Sequence, residues 1–279
     1  MTTTVPTARA AGPAPSAVRL GLSRGRLELL RFFRNRDAVV FTFALPTVLL
    51  VLLGSVFGDV YEGTGVSASQ VLAAGMIAAG IMSTTFVSLG VDIATDREDG
   101  TLKRLRGTPM PQAAYFVGKI VLVTVTTVAQ TVLMLAAAVL LFDLALPGTA
   151  QRWATLLWVF TLGVTACSLL GIAISTAARN ARSATAVVQL PYLALQFISG
   201  VFVNPISALP AGLVAVASVF PVKWMAQGFR SVFLPDAMVA FEAAGAWELG
   251  RVALVLGAWC VAGLALCLTL PVLGSANRR

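Results

Sequence analysis

Residues 96–119 hold the densest set of chemically active groups in this sequence, and they read DREDGTLKRLRGTPMPQAAYFVGK. Eight of these 24 residues are ionisable, although only 11% of the whole chain is charged. The segment lies between two long apolar stretches. Because a charge at the centre of a bilayer costs roughly 2.5–3.5 kcal/mol or more, such a cluster is expected to stay in water. We therefore expect a water-facing loop that contacts a partner molecule.

One enzymatic interpretation rests on the carboxylates of Asp96-x-x-Asp99-Gly100. This spacing resembles the opening of the CDP-alcohol phosphotransferase motif, in which carboxylates on membrane helices hold a divalent metal. That motif continues with Ala-Arg, a glycine and two further aspartates. Here Lys103 replaces the alanine, and residues 120–142 contain no aspartate. Only half of such a site is present, so a membrane transferase is kept as an alternative.

Neither a nucleotide site nor a metal site is expected on this chain. The phosphate-cradling pattern G-x-x-x-x-G-K-[ST] is missing, because Gly118-Lys119 is followed by Ile120. The sequence has no histidine, and its cysteines lie in apolar runs where they are expected to pack as small residues. These cysteines are Cys167, Cys260 and Cys267. We expect no catalytic residue, no metal and no cofactor on the chain itself.

The elements that position the charged segment are expected to be membrane helices. The chain is 58% hydrophobic, with a mean hydropathy of +0.87 and recurring apolar runs near 20 residues. We predict an all-α integral membrane protein with six transmembrane helices. The predicted spans are about 38–57, 70–92, 120–142, 153–177, 184–203 and 252–273.

The longest uncharged run, residues 183–222, is too long for one span. As a single helix it would be about 60 Å long, twice the hydrocarbon thickness. It must therefore break, and Pro205, Pro210 and Pro221 lie in its second half. Two alternatives are open at this point. The run forms two full spans, or it forms one span over 184–203 and a hairpin that dips only part of the way into the membrane.

Before the first span, two segments differ in character. Residues 1–16 are rich in Thr, Ala, Pro and Gly and are predicted to be a disordered tail. Residues 17–37 show apolar residues at helical spacing, with arginines on the other side, which predicts an amphipathic helix on the membrane surface. The apolar positions are Leu22, Leu29, Leu30 and Phe33, and the basic ones are Arg24, Arg31 and Arg34.

The distribution of positive charge predicts the orientation. With both termini, residues 96–119 and the loop at 179–182 inside, sixteen of the twenty Lys and Arg residues are cytoplasmic. Such a bias is typical of the positive-inside rule, so the net charge of +8 is a topology signal and does not indicate nucleic-acid binding. A cytoplasmic tail, residues 274–279, follows the last span.

Within the charged segment, residues 96–108 are predicted to form a stub of helix. Acidic residues come first and basic residues follow, which matches the helix dipole. Leu102 and Leu105 are three apart and share one face. Pro109 and Pro111 end the stub. The stub could place its two leucines in an apolar cleft while its charges pair at the rim.

The same residues make the segment similar to the cytoplasmic loop of ABC-2 type transporter permeases. The matching positions are Glu98, Gly100, Thr101, Leu102, Leu105, Thr108, Pro109, Gly118 and Lys119. A second match resembles the exit of the family's fifth span and its outer re-entrant hairpin. It consists of Ser199, Gly200, Val201, Phe202, Pro205, Ile206, Ser207, Leu209, Pro210, Pro221 and Arg230. Lys103 and Arg104 depart from the family, because many members carry an acidic residue there.

The resemblance implies a fold and a set of site residues. Residues 38–273 would be an ABC-2 type transmembrane domain, with a coupling loop at 93–119 and a re-entrant hairpin at 204–235. The hairpin is thereby favoured over two full spans. Residues implied to couple to an ATPase are Asp96, Glu98, Gly100, Thr101, Leu102, Leu105, Thr108 and Pro109. Residues implied in an outer gate or cap are Gly200, Phe202, Pro205, Pro210, Pro221 and Arg230.

The resemblance also implies a division of labour. The chain would be the membrane half of an exporter in a bacterial plasma membrane, moving a lipophilic or amphipathic substrate outward. Two copies of a separate ATPase would bind ATP and Mg²⁺, and a second permease chain would complete a homodimer in contact with membrane lipid. The alternatives are the transferase described above and an accessory membrane subunit that transports nothing.

Overall fold

The long uncharged runs of the sequence fold into helices, because only internal hydrogen bonds can satisfy a backbone inside a bilayer. The structure is a computed structural model that describes residues 16–56, 61, 64–108, 110–178, 180–203 and 205–270. These residues contain helices and turns but no strand, which confirms the all-α class. The α-helices are α1 Ala17–Arg34, α2 Arg36–Val56, α3 Ala68–Met82, α4 Leu89–Glu98, α5 Thr101–Arg106, α6 Gln112–Phe142, α7 Ala150–Ile174, α8 Ala181–Ile198, α9 Ala211–Ala217, α10 Pro221–Phe233 and α11 Leu249–Thr269.

Five helices in the described residues are long and apolar enough to cross a membrane. They are α2, the continuous stretch Ala68–Glu98, α6, α7 and α11. The pair α9 and α10 is bent by 94° and would raise the number to six if it forms one span. The predicted fifth span, 184–203, falls on α8, which is not among the five. Arg182, Gln189 and Gln196 lower the hydropathy of this 18-residue helix.

The second span contains a π-helical segment, Ser83–Ser88, between α3 and α4. This wider turn leaves the helix continuous, and the Ser88 hydroxyl donates to the Ser83 carbonyl at 3.1 Å. Short π segments are frequent at functional sites. Here the segment also brings Thr84 against α6, where the hydroxyls of Thr84 and Thr127 lie 2.8 Å apart.

The predicted loop at 93–119 is wrong in extent. Helix α4 continues to Glu98 and α6 begins at Gln112, so only residues 99–111 connect them. The predicted stub at 96–108 is also too long, because Gly100 adopts a φ of +69° and separates α4 from α5. The helices continue past the predicted boundaries because their charged residues pair with each other across the α4–α6 contact, as described below.

Helices α3 and α10 form the centre of the bundle. Every residue of α10 is buried, and so are thirteen residues of α3. Helix α10 packs against α3, α7 and α11, while α2 and α6 pack on other sides of α3. The close approach of α7 to the π segment depends on Gly171, because a Cβ there would lie 2.7 Å from the Thr85 carbonyl oxygen.

Helix α1 packs along α6 through two glycines that the sequence prediction overlooked. A Cβ at Gly21 would lie 2.5 Å from the Val117 Cβ, and one at Gly25 would lie 2.7 Å from the Val121 Cβ. The Gly-x-x-x-Gly spacing therefore allows close backbone contact, as in membrane helix pairs. The other side of α1 exposes large apolar side chains, as expected for a helix at a membrane interface. These are Val18, Leu22, Leu27, Leu30 and Phe33.

Some predicted features fall partly or wholly outside the described residues. They include most of the predicted tail at 1–16, Pro109, and the C-terminal tail at 274–279. Ser16, the last residue of the predicted N-terminal tail, is described and caps α1, because its hydroxyl accepts from the Arg19 amide at 3.3 Å.

Candidate functional site

Helix α5 is a six-residue helix at the end of the bundle where α4 ends and α6 begins. Its Lys103 and Arg104 are exposed, while Leu105 is half-buried. Leu102 is only 5% exposed, so it packs within this chain instead of sharing an open face with Leu105. The predicted face of two available leucines is therefore wrong, because Leu102 is buried within this chain. The surface that α5 presents is mainly basic.

The charged residues on either side of α5 meet in a buried ionic cluster centred on Lys119. Its ammonium group is in contact with the carboxylate of Asp92, lies 2.8 Å from Asp96 Oδ2, and lies 3.3 Å from Glu28 Oε2. These three carboxylates come from α4 and α1, whereas Lys119 lies on α6. One lysine therefore joins three helices. Of these contacts, the one with Asp92 is a hydrogen bond, whereas Glu28 Oε2 is buried without a hydrogen-bond partner among the described residues.

A second layer of contacts supports this cluster. The Tyr115 hydroxyl donates to Asp96 Oδ2 at 3.0 Å, and Arg24 Nε donates to Glu28 Oε1 at 2.9 Å. The Arg24 guanidinium lies 4.9 Å from the centroid of the Tyr115 ring, within the range of a cation–π contact. Arg24 thus faces α6, although the sequence pattern placed it on the solvent side. Burial raises the pKa of the Glu28 carboxyl, and Lys119 opposes that shift.

The prediction that residues 96–119 lie wholly in water is wrong for two of its charges. Asp96 is 4% exposed and Lys119 is 3% exposed. Opposite charges and hydrogen bonds at contact distance offset much of the desolvation penalty that would otherwise keep such groups at the surface. Two spacings in the sequence could have revealed the cluster. Asp92 and Asp96, and likewise Tyr115 and Lys119, are four residues apart and share a helix face.

Arg97 attaches the same end of α4 to α7. Its guanidinium donates to the carbonyl of Ser175 at 2.5 Å and to that of Ala178 at 2.8 Å, just beyond the last turn of α7. Glu98 and Asp99 follow and are exposed, as is Thr108 after α5. The end of α4, from which the chain enters α5, is therefore joined to α6 and α7 directly and to α1 through Lys119.

At the opposite end of the bundle, Arg230 joins three segments. Its guanidinium binds Glu242 at 2.5 Å and 3.0 Å and donates to the Gly200 carbonyl at 3.0 Å. Gly200 has a φ of +72°, which reverses the chain after α8. Arg230 is 2% exposed and Glu242 is 5% exposed. These two charges are therefore buried, because they neutralise each other inside the fold.

The other predicted residues of this region shape the bent pair α9–α10. Pro205 precedes the short 3₁₀ turn Ile206–Ala208, Pro210 precedes α9, and Pro221 is the first residue of α10. A proline at these helix starts loses no hydrogen bond. Phe202 is half-buried, and its ring centroid lies 5.3 Å from that of Phe197.

Two further side chains lie near Arg230. Tyr61 packs edge-on against Phe241 with ring centroids 4.8 Å apart. Burial raises the pKa of Tyr61 to about 12, with Arg230 opposing and Glu242 adding to the shift. Lys223 is 2% exposed, and its ammonium group lies 3.4 Å from the centroid of the Trp224 ring.

Five apolar helices long enough to cross a bilayer, a bent helix pair and buried ion pairs at both ends define a multi-pass integral membrane protein. The sequence matches the family described as ABC-2 type transporter over residues 25–234, which is more than half of the chain. The chain therefore belongs to the ABC-2 type transporter family. Proteins of this family are membrane components of transporters and not enzymes themselves.

Two relatives match this chain with the same sequence identity over the same number of residues. Both are named probable multidrug ABC transporter permease YbhR, one from Escherichia coli strain K12 and one from Escherichia coli O157:H7. Each is 23% identical over 170 residues, which is 61% of this chain and 44% of the relative. The chain thus spans less than half the length of the curated relatives it matches.

Proposed function

We propose that this chain is the permease subunit of an exporter driven by a separate ABC ATPase. The observation that carries the proposal is the position of α5, a short basic helix that follows the end of α4, where α4 is joined to α6 and α7 directly and to α1 through Lys119. The family implies an ABC ATPase partner in general. An exposed helix that packs on the end of α4, which is itself joined to α6, α7 and α1, suits the task of transmitting force from such a partner.

In this proposal the exposed residues around α5 bind the ATPase, and the buried residues transmit its movement. Lys103 and Arg104 supply positive charge for a partner surface with acidic residues. Leu102 anchors α5 to its own chain. Gly100 holds the angle between α4 and α5, since its left-handed φ is strained for residues with a side chain. Asp96 then belongs to the transmitting junction and not to the docking surface.

The orientation in this proposal places α1, α5 and both termini in the cytoplasm. It is supported by the excess of Lys and Arg in the segments assigned to that side. The bent pair α9–α10 then lies near the outer surface as a re-entrant hairpin. Arg230, bound to both Glu242 and the Gly200 carbonyl, fixes the hairpin to the chain that leaves α8, so that α8 and the hairpin would move together as a gate or cap.

The proposed cargo is lipophilic or amphipathic, and the proposed assembly contains two permease chains and two ATPases in the plasma membrane. Large apolar side chains exposed along the helices support contact with lipid or a second chain. The relatives are named multidrug permeases, which supports a drug-like cargo. ATP and Mg²⁺ would bind the ATPase subunits, with no cofactor on this chain.

Affinity purification followed by a transport assay tests this function. A tagged chain is expected to co-purify with an ABC ATPase, and inverted vesicles containing both are expected to accumulate a lipophilic dye only when ATP is hydrolysed. An ATPase variant that binds but does not hydrolyse ATP is the control. The proposal would be contradicted if no ABC ATPase co-purified with the chain. It would also be contradicted if dye accumulation continued with the ATPase variant that cannot hydrolyse ATP.

The geometry favours this function over a membrane transferase. Asp96, the first carboxylate of the motif considered above, is occupied by Lys119 and by the Tyr115 hydroxyl. Asp99 lies beyond the end of α4 and is exposed, whereas Asp96 is buried. The two carboxylates therefore do not form one metal-facing pair. A magnesium-dependent transferase activity that is lost in Asp99→Asn would reverse this preference.

A further inference from the structure

A cleft of about 360 Å³ lies beside the Lys119 cluster, between α1, α2, the π segment, α4 and α6. Its volume falls in the range of small-molecule sites, roughly 300–1,000 Å³. One part of its wall is apolar and includes Phe32, Phe41 and Leu122, and hydroxyl groups of the π segment contribute to another part. Asp92, Glu28 and Lys119 form its charged end. The cleft therefore has an apolar part and a charged part, which matches the hydrocarbon chain and the charged head group of an amphiphile.

The hydrogen-bonding state of the charged end decides which head group it can accept. Three carboxylates lie within 3.3 Å of the Lys119 ammonium group, so their negative charges outnumber its single positive charge and disfavour an anion. Asp92 binds Lys119 through Oδ2, while its Oδ1 has no hydrogen-bond partner among the described residues. The Asp92 side chain is 43% exposed. The open hydrogen-bonding position in the wall is therefore a carboxylate oxygen, which favours a positively charged donor.

The rim of the cleft also carries a positive group, Arg31, which is exposed. Water and salt screen both exposed charges, so Arg31 opposes an ammonium group only weakly at a distance, whereas Asp92 Oδ1 can accept a hydrogen bond from it at contact. An amphiphile with a phosphate next to its ammonium could pair with Arg31 as well. Both a free lipophilic amine and an ethanolamine lipid contain the ammonium group that Asp92 can bind.

We propose that this cleft binds a hydrophobic ammonium compound, with the ammonium group on Asp92 and the hydrocarbon against Phe32, Phe41 and Leu122. This site goes beyond the proposed function, because binding requires neither the ATPase nor ATP. The exposed apolar side of α1 places the cleft at the level of the membrane interface, where such amphiphiles accumulate.

The test measures binding of radiolabelled dodecylamine, which is protonated at neutral pH, to the purified chain in phosphatidylcholine nanodiscs. Empty nanodiscs give the background. We expect saturable binding that unlabelled dodecylammonium displaces and dodecyl sulfate does not. Loss of one charge-assisted contact in Asp92→Asn is expected to weaken binding about tenfold. Asp236→Asn is the matched control, because Asp236 is an exposed carboxylate outside the cleft, and it should bind like the unaltered chain.

A second variant separates loss of the ligand contact from disruption of the Lys119 cluster, because Asp92→Asn could cause both. Ser88 is exposed and lines the cleft, so Ser88→Phe is expected to fill part of it and abolish saturable binding while all cluster residues remain. Any of three results would overturn the proposal. The unaltered chain and Asp92→Asn bind dodecylammonium with equal affinity, dodecyl sulfate displaces it as effectively as dodecylammonium does, or no saturable binding occurs in phosphatidylcholine nanodiscs. None of these results would contradict the permease function.

Nanodiscs with added phosphatidylethanolamine distinguish the two sources of the ammonium group. If the lipid head group occupies the cleft, phosphatidylethanolamine will weaken dodecylammonium binding by the unaltered chain, as a competitor does. If the site takes free amines, the affinity will be the same in both lipids. Either result supports an ammonium site, and the comparison identifies its occupant.

Discussion

Lys119→Met is the substitution that most directly tests the buried cluster. Methionine is close to lysine in size but carries no charge, so the change removes the ion pairs without opening a large cavity. The side chains of Asp96 and Glu28 are only 6% and 12% exposed, so their carboxylates would lose a partner inside the fold. Asp92, at 43% exposed, remains solvated and adds little.

Breaking a buried ion pair by removing one partner destabilises a protein by about 3–5 kcal/mol. For a chain of this size, we expect the midpoint of thermal unfolding to fall by on the order of 10 °C. The measurement is thermal unfolding of the purified protein in detergent, followed by tryptophan fluorescence. Lys103→Met is the matched control, because Lys103 is exposed on α5 and its replacement should leave the midpoint within about 1–2 °C.

A double substitution makes the test specific for charge. Lys119→Met combined with Asp96→Asn removes the buried charge that the single change leaves without a cationic partner, since Glu28 keeps Arg24. The amide oxygen introduced by Asp96→Asn can still accept from Tyr115. We expect this double variant to unfold at a higher temperature than Lys119→Met alone. A midpoint for Lys119→Met equal to that of the Lys103→Met control would refute the reasoning, since it would mean that the carboxylates reach water and need no partner.

Three further substitutions test the other junctions. Gly25→Leu would force a side chain against Val121 and should separate α1 from α6, so that a cysteine placed on the α6-facing side of α1 reacts faster with maleimide. Gly100→Leu places a β-carbon in the left-handed region at a cost of about 1–2 kcal/mol and should reduce ATP-driven dye transport while the ATPase still co-purifies. Glu242→Gln leaves the Arg230 charge buried and unneutralised and should destabilise the protein by about 3 kcal/mol in thermal unfolding.

Controls for these substitutions come from the same chain. A Cβ at Gly148 would meet nothing within 4 Å, so Gly148→Leu should leave maleimide reactivity and transport unchanged. Asp236→Asn removes an exposed carboxylate and should leave the unfolding midpoint near that of the unaltered chain. Each role would be contradicted by one result. These results are unchanged maleimide reactivity in Gly25→Leu, full dye transport in Gly100→Leu, and an unaltered thermal unfolding midpoint in Glu242→Gln.

The candidate site could be predicted from the sequence only in its local features. The short helix after Gly100 follows from the helix-forming run TLKRLR, which contains neither glycine nor proline, but its extent was overestimated because the left-handed turn at Gly100 was not located. Leu102 and Leu105 have the same spacing whether they face a partner or their own chain. The direction of Leu102 depends on how α5 folds back, and a linear pattern contains no information about that turn.

The placement of charges could not be predicted because burial depends on partners that are distant in sequence. Glu28 and Lys119 are 91 positions apart, and Arg230 meets the Gly200 carbonyl across 30 positions. Each charge considered alone predicts exposure, since the desolvation penalty is large. The penalty is offset only when the partner is in contact, so the same residues are placed differently once the helices pack.

The sequence by itself determined the class of this protein and its family, because apolar run length sets the number of helices that can cross a bilayer and the loop motifs are local. The tertiary structure alone decided which charges are buried, which side of α1 meets α6, and where a cleft remains beside the paired carboxylates. Length and hydropathy are properties of single segments, whereas burial, pairing and cavities are properties of contacts between segments.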